Sequence, residues 1–189
     1  MLTATYSLGA IAIEQKQALH CLARTRESIT ALRQNPPPLD SIRVEQAVSG
    51  MSRFDHFCHE RKLEKYVIPT VRGASIEVDA LVRELESLSG TGLTLLGAVG
   101  NQVQTRFERQ ANQARELCRA MDAYCDCLRQ RLMREEELLF PMVRRLLSVE
   151  DWFTLAAKFL GDEQRRHAAH LRAALMASFH GPRAGVPET

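Results

Sequence analysis

The stretch with the most evident chemistry is Arg131-Leu-Met-Arg-Glu-Glu-Glu-Leu-Leu-Phe-Pro141, in which three glutamates run into an apolar segment that ends at a proline. Glu135 lies on the same helical face as the apolar residues, four positions after Arg131. A carboxylate on the inward face needs a positive charge opposite it, because an unpaired buried charge is very costly. Two sources fit the spacing: a bound metal ion, or the guanidinium of Arg131 itself.

A second group of candidate ligands lies in the sequence HFCHERKLEKYVIP. The apolar stripe that precedes it favours a helical register in which His59 and Leu63 face inward. Sliding the register by one residue brings Glu60 and Glu64 inward instead. His56 with Glu60 also has the spacing of a ligand pair, one turn earlier. The residues leave these three registers open, with the first favoured.

The elements that must position these side chains are helices, because apolar residues recur at helical spacing and no segment sustains the alternation of a strand. The predicted helices cover roughly residues 6–33, residues 41–69, a third from 76 to a turn between 97 and 112, a fourth that carries Glu135, and a fifth over 149–178. Asp40 can cap the second helix, Ser148 with Asp151 forms a variant capping box for the fifth, and the prolines at 36–38 form a rigid turn. We therefore predict an all-α fold: an up-down-up-down four-helix bundle with an additional C-terminal helix. It forms a single domain over 1–178, followed by a disordered tail over 179–189.

Composition narrows the functional classes. The formal net charge is +2 and the basic residues form no long run, so there is no electrostatic case for binding nucleic acid. The N-terminus lacks the pattern of a secretory signal and no stretch is long enough to span a bilayer, so we expect a cytoplasmic protein. The five cysteines are odd in number and lack CxxC spacing, which predicts small, mostly buried apolar residues rather than a disulfide framework.

The segment YCDCLRQRLMREEELLFPMVRRLLSVEDW (124–152) resembles the last bundle helix of bacterial hemerythrin-like (HHE cation-binding) domains. Those helices show a tyrosine, a histidine seven residues later, successive glutamates, an aromatic-proline stop, and a leucine-rich run into Asp-Trp. The residues that match are Tyr124, Glu135, Glu136, Glu137, Phe140, Pro141, Asp151 and Trp152. LVRELESLSG is similar to the third helix, HFCHERKLEKYVIP to the second and IEQKQALHCL to the first. The resemblance implies two iron ions held by histidines and glutamates from all four helices, with a vacant position for dioxygen or nitric oxide.

The chain departs from that family at most ligand positions. Arg131 stands where the fourth helix has its histidine, Leu85 takes the histidine position of the third, and Gln15 is the best match to that of the first. Arginine is not deprotonated in proteins and cannot be a ligand. We therefore expect a buried polar core of Gln15, Arg131 and Glu135 in place of the di-iron site, with no cofactor.

Such a core predicts a regulatory or protein-interaction module rather than an enzyme, acting on an unknown protein partner or by self-association. The alternative is a non-standard iron, manganese or zinc site in which Glu60, Glu64 and Glu135 outnumber the single arginine, with His56 or His59 assisting. That alternative implies oxygen, nitric oxide or redox sensing. Neither hypothesis involves nucleic acid or a membrane.

Overall fold

The structure, a computed structural model, describes residues 2–34, 39–105 and 111–179. Within these ranges it is all-helical and contains no strand, which confirms the predicted fold class at that level. The α-helices are α1 (Leu2–Gln34), α2 (Ser41–Glu60), α3 (Ile68–Val71), α4 (Ile76–Thr105), α5 (Ala111–Arg134), α6 (Phe140–Leu146) and α7 (Val149–Phe179). Two π-helical turns, Leu63–Val67 and Glu135–Leu139, connect α2 to α3 and α5 to α6. None of the helices described is long and apolar enough to cross a membrane.

The predicted extent of the second helix is wrong. A single helix over 41–69 is wrong, because α2 ends at Glu60 and the chain passes through Arg61 and the first π-helical turn before α3 begins. The proline turn predicted at 36–38 lies outside the described residues. The turn predicted between 97 and 112 is narrowed by α4, which continues to Thr105, and α5, which begins at Ala111. The tail predicted over 179–189 lies outside the described residues except for Phe179, which ends α7.

Side chains at the starts of α2 and α7 form the two predicted caps. Asp40 Oδ1 accepts a hydrogen bond from the Ile42 amide at 3.0 Å. Ser148 Oγ accepts from the Asp151 amide at 3.2 Å, and Asp151 Oδ2 accepts from the Ser148 amide at 2.9 Å, which completes the capping box. Each cap satisfies amides that the first turn of a helix leaves unpaired, and so fixes where these two helices begin.

Helix α5 packs against both α1 and α4, and runs antiparallel to each. The contacts that show the direction are Arg26–Asp126 and Arg33–Asp122 between α1 and α5, and Glu84–Arg134 and Leu88–Cys127 between α4 and α5. Helix α1 also packs against α2 and α7. The inward face of α5 therefore packs against α1 and α4.

Buried apolar side chains form two clusters with polar residues between them. On α1, Gln15 stands between Ile11 of one cluster and Ala18 of the other. On the α5 side, Glu135 stands between Leu132 and Leu139 in the same way. The polar side chains therefore lie at mid-height in the fold, between the two apolar clusters.

The helical spacing of apolar residues in the sequence also predicts that Leu19 and Leu138 face inward, but each of them is 38% exposed. The fully buried neighbours are Ala18 and Leu139. For Leu138 the cause is the second π-helical turn, because its extra residue advances the helical phase so that Leu139 faces the core.

Helices α4 and α5 approach closely at Gly92, and this gives a matched pair of tests. A Cβ at Gly92 would lie 3.2 Å from Leu128 Cδ2, whereas one at Gly97 would meet nothing within 4 Å. We expect Gly97→Ala to raise the free energy of unfolding by about 0.5–1 kcal/mol, since alanine is the better helix former. We expect Gly92→Val to lower it by about 1–3 kcal/mol through overpacking. Urea unfolding measures both, and effects of the same sign would contradict the close approach at Gly92.

Candidate functional site: a buried arginine–glutamate network

The site begins where the helix is interrupted at Arg61, directly after α2. This interruption is called the break below. Arg61 has φ −63° and ψ 148°, an extended conformation that ends the helix. The π-helical turn that follows leads to Pro69, which has no amide hydrogen and whose ring would collide with the carbonyl four residues earlier in a regular α-helix. The wider turn avoids that geometry, since the Ile68 amide donates to the Leu63 carbonyl five residues earlier. Together the break and the wide turn rotate residues 61–67 relative to α2.

This rotation buries the side chain of Arg61, which is 2% exposed. Its Nη1 donates to Glu135 Oε2 at 2.8 Å and its Nη2 to Glu135 Oε1 at 2.7 Å, a bidentate pair. Nη1 also donates to Gln15 Oε1 at 2.9 Å, and Nε to the Cys58 carbonyl at 3.4 Å, an acceptor near the end of α2. Burial alone would lower the pKa of Arg61, but the charge and hydrogen bonds of Glu135 outweigh burial and raise it. The guanidinium therefore stays charged.

Arg131 forms the second half of the network from α5. Its Nη2 pairs with Glu64, its Nη1 donates to Ser89 Oγ, and its Nε lies 3.2 Å from Glu135 Oε1. Glu64 Oε1 also lies 3.6 Å from Arg61 Nη2. Two guanidiniums and two carboxylates thus interlock, and their formal charges cancel. Matched charges are what permit such a cluster inside a fold, because each ion needs a compensating partner once it leaves water. The pairing leaves one donor unused, since Arg131 Nε lies near Glu135 but makes no hydrogen bond among the described residues.

Two residues of α1 hold the network in place. Gln15 accepts from Arg61 through Oε1 and donates through Nε2 to the Leu132 carbonyl at 2.9 Å. Glu14 accepts from the Lys62 amide at 2.6 Å and from Lys62 Nζ at 3.1 Å. The Lys62 amide follows the break directly, so the Glu14 carboxylate supplies the partner for a donor beside the interrupted helix. α1 therefore stabilises the break that turns Arg61 inward.

The second π-helical turn starts at Glu135 and resembles the first. The Phe140 amide donates to the Glu135 carbonyl five residues earlier, and Pro141 follows, as Pro69 does after the first turn. Their first residues, Leu63 and Glu135, are both fully buried. Turns of this kind are rare and often lie at functional sites, because they displace a side chain from the regular helical phase.

The expected core residues Gln15, Arg131 and Glu135 are all buried and lie in one network. The inward position predicted for His59 is wrong: its side chain is 52% exposed and its Nε2 lies 3.6 Å from Asp55 on the same helix. The physical reason is the break at Arg61, which separates the phase of α2 from that of Leu63. Leu63 is buried as that register predicts.

The structure does not bring together the proposed metal ligands. Glu64 and Glu135 both join the network, but His56 is exposed on α2. The Glu60 carboxylate is 45% exposed and pairs with Lys65. Across the residues that the structure describes, no group of three or more histidine, cysteine, aspartate or glutamate side chains is placed to hold a metal ion.

Sequence reasoning missed Arg61, Lys62 and Glu14. In a continuous helix Arg61 lies two residues from Leu63 and so on the opposite face, and no glycine or proline between His59 and Lys62 indicates a break. The one available pointer was Pro69, which requires an irregularity in the preceding turn. It does not locate the break at Arg61.

The two glutamates of this segment give opposite pH dependences that can be measured. Burial is the main cause that raises the pKa of Glu64 above its usual value of 4.5, while a hydrogen bond from Lys65 is the main cause that lowers the pKa of Glu60. The native state holds the Glu64 proton more tightly than the unfolded chain does. The contribution of Glu64 to stability is therefore fully present below pH 4.5 and is lost as the pH rises from there through the raised pKa of the folded state. The contribution of Glu60 is present above pH 4.5 and is lost as the pH falls below it.

Urea unfolding at a series of pH values checks both signs. We expect the stability of the wild type relative to Glu64→Gln to decrease with rising pH above 4.5, and that relative to Glu60→Gln to decrease with falling pH below 4.5. The same slope for both variants would contradict the burial of Glu64.

Comparison of the chain with protein-family models, with curated proteins and with solved structures found no match.

Proposed function

We propose that this chain is a hemerythrin-like up-down-up-down bundle whose metal centre has been replaced by an arginine–glutamate network, and that it serves as a regulatory or protein-interaction module. The observation that carries the proposal is the closed network of Arg61, Arg131, Glu64 and Glu135 at mid-height in the fold. These residues match one another in charge, so the site calls for no further cation.

The directions of the helices support the bundle topology. α5 runs antiparallel to α1 and to α4, while its contacts with the second helical segment run in the same direction: Tyr124 donates to the Met51 carbonyl, and Arg131 pairs with Glu64. In an up-down-up-down bundle the fourth helix is antiparallel to the first and third and parallel to the second. That is the pattern of these contacts.

The residues at the centre do not suit the family's di-iron pair. Leu85 is fully buried where the resemblance expects a histidine, and Arg131 is buried where it expects another. A bound cation would lie beside two fixed guanidiniums, at a Coulomb cost of several kcal/mol even at an effective dielectric of about 20. The five free cysteines agree with a reducing compartment, and we propose a cytoplasmic location.

A non-standard iron, manganese or zinc site is the weaker proposal. It requires Glu60 beside Glu64 and Glu135, with a histidine assisting. Glu60 pairs with Lys65 near the surface, and His59 is turned to solvent. The two carboxylates that do meet are already neutralised by Arg61 and Arg131.

Thermal unfolding with added metal tests the proposed function. A metal ion that binds only the folded state raises the melting temperature of the protein, and the rise grows with the logarithm of the metal concentration. We expect ferrous iron (under anaerobic conditions), manganese and zinc to leave the melting temperature of the wild type unchanged. A metal-dependent rise that Glu135→Ala abolishes, and that Glu60→Ala also abolishes, would overturn the proposal in favour of the carboxylate-rich metal site.

A further inference from the structure

A cavity outside the network lies between α1 and α2. It has a volume of about 370 Å³, and its walls are formed by α1 residues between 21 and 28 and by α2 residues between 46 and 57. The residues of the arginine–glutamate network are not part of its lining. Small-molecule sites in proteins have volumes of about 300–1,000 Å³, so the cavity is large enough for a small organic ligand. It is called the α1–α2 cavity below.

The positive charges at this cavity have no carboxylate partner. Arg24 on α1 and Arg53 on α2 both line the cavity, and neither forms an ion pair with any residue that the structure describes. Arg53 Nη1 donates to Ser49 Oγ at 2.7 Å, a neutral acceptor that leaves its charge uncompensated. The other arginines of α1 and α2 each lie between 3.1 and 3.5 Å from an aspartate oxygen: Arg26, Arg33 and Arg43. Since no acidic side chain of the described residues lines the cavity, it attracts an anion.

The inner wall of the cavity is apolar and includes aromatic rings. Phe54 and Ala47 are each 2% exposed, and Phe57 on the same helix is half-buried. Aromatic rings pack well against other flat apolar groups. An inorganic anion would use the two arginines but would leave this apolar surface uncovered. The lining therefore suits an anion that carries an apolar ring.

Gly50 leaves part of the cavity open. It lies in the interior of α2 and also lines the cavity. Glycine in the middle of a helix lowers stability relative to alanine. No close approach of a neighbouring helix requires glycine here, because a Cβ at Gly50 would meet nothing within 4 Å. The space that a side chain at this position would take is therefore free for a ligand.

We propose that the α1–α2 cavity binds a small aromatic carboxylate. The carboxylate lies between Arg24 and Arg53, whose planar guanidiniums can each donate two parallel hydrogen bonds to it. The ring packs against Phe54 and Phe57. This site goes beyond the proposed function, which names no small ligand, and it does not rest on it.

Titration with 2-naphthoate, followed by the amide chemical shifts of the full chain in nitrogen–proton NMR spectra, measures the binding directly. We expect saturable shifts of amides near residues 21–28 and 46–57, with a dissociation constant at or below about 1 mM, as is ordinary for a ligand of this size. Two further probes at equal ionic strength test the two parts of the ligand. 2-Naphthylmethanol has the ring without the charge, and inorganic phosphate has a charge without the ring, so each should bind at least about tenfold more weakly.

Substitution of the two arginines tests the recognition of the carboxylate. Arg24→Gln and Arg53→Gln should each weaken the binding of 2-naphthoate at least about tenfold and leave the weak binding of 2-naphthylmethanol unchanged. Arg43→Gln is the matched control, because Arg43 lies on α2 outside the cavity and pairs with Asp40, so it should leave the dissociation constant unchanged. All three arginines are exposed, and circular dichroism confirms that the variants are folded.

Gly50→Leu tests the location of the site independently of its charges. Leucine fills part of the cavity and is a better helix former than glycine. We expect the melting temperature of this variant to be no lower than that of the wild type, and its binding of 2-naphthoate to be at least about tenfold weaker.

No saturable binding of 2-naphthoate at up to about 10 mM, or equally tight binding of 2-naphthylmethanol, would overturn the site. So would binding that Arg24→Gln, Arg53→Gln and Gly50→Leu leave unchanged. None of these results affects the arginine–glutamate network, which the metal-dependent melting experiment tests separately.

Discussion

Arg61→Met lowers the free energy of unfolding by about 3–5 kcal/mol, the range expected when one partner of a buried ion pair is removed. Methionine fills much of the space of the arginine side chain but cannot donate. Glu135 loses both hydrogen bonds of its bidentate pair, and Gln15 loses a donor. Arg131 is then left as the one guanidinium facing both Glu64 and Glu135, so the centre of the fold carries an excess negative charge.

Urea unfolding followed by circular dichroism measures this loss, with Arg72→Met as the matched control. Arg72 also pairs with a glutamate, Glu86, but both side chains are more than half exposed. Surface pairs of that kind contribute about 0–1 kcal/mol. A loss for Arg61→Met no larger than that for Arg72→Met would show that Arg61 is not the buried counter-ion of Glu135.

Glu135→Leu is expected to destabilise the protein to a similar extent, by about 3–5 kcal/mol, for the opposite reason. Leucine packs well among Leu132 and Leu139, so no large cavity is left. The Arg61 guanidinium, however, loses its bidentate partner and remains buried with Gln15, the Cys58 carbonyl and the more distant Glu64. The cost arises from an unpaired cation rather than from lost packing.

The double variant Arg61→Met/Glu135→Leu separates these explanations. It leaves Arg131 paired with Glu64, with no excess charge, and we expect it to be more stable than either single variant, within about 1–2 kcal/mol of the wild type. Replacing a complete buried ion pair by apolar side chains is often nearly neutral, whereas breaking one is not. Additive losses in the double variant would mean that the two residues do not act as a pair.

The helical class, the two caps and the burial of Arg131 and Glu135 could be predicted from the spacing of residues within one helix, whereas Gln15 was expected in the core because of the resemblance. Asp40 caps α2 through its own side chain, and Arg131 faces Glu135 because residues four apart share a helical face. Such patterns are local. They need no knowledge of the neighbouring helices.

Arg61 could not be predicted, because its inward position depends on other helices. The break at Arg61 is stabilised by Glu14, which accepts from the Lys62 amide, and by Glu135, which binds the guanidinium. These partners are 48 and 74 residues away along the chain. No helical period places Arg61 inside. In the sequence, Arg131 alone was enough to neutralise the charge of Glu135, so no second arginine was expected. The structure therefore shows two guanidiniums where the sequence predicted one.

The π-helical turns explain why the favoured helical register of the second helix was correct for Leu63 but not for His59. Leu63 and Glu135 each lie six residues before a proline and are buried, so counting back from the proline places them correctly. Four residues further back the two segments differ: Arg131 continues the phase of α5 into the core, whereas His59 lies on the other side of the break and faces solvent. The side chain that this segment contributes to the centre of the network is Arg61.

The most direct test of the central claim is the metal content of the full chain, purified without chelators from cells grown with ample iron, manganese and zinc. Because Arg61 and Arg131 already neutralise Glu64 and Glu135, elemental analysis by mass spectrometry should find far less than one ion per chain, and no difference between the wild type and Glu135→Leu. One or two ions per chain in the wild type, lost in Glu135→Leu, would contradict it.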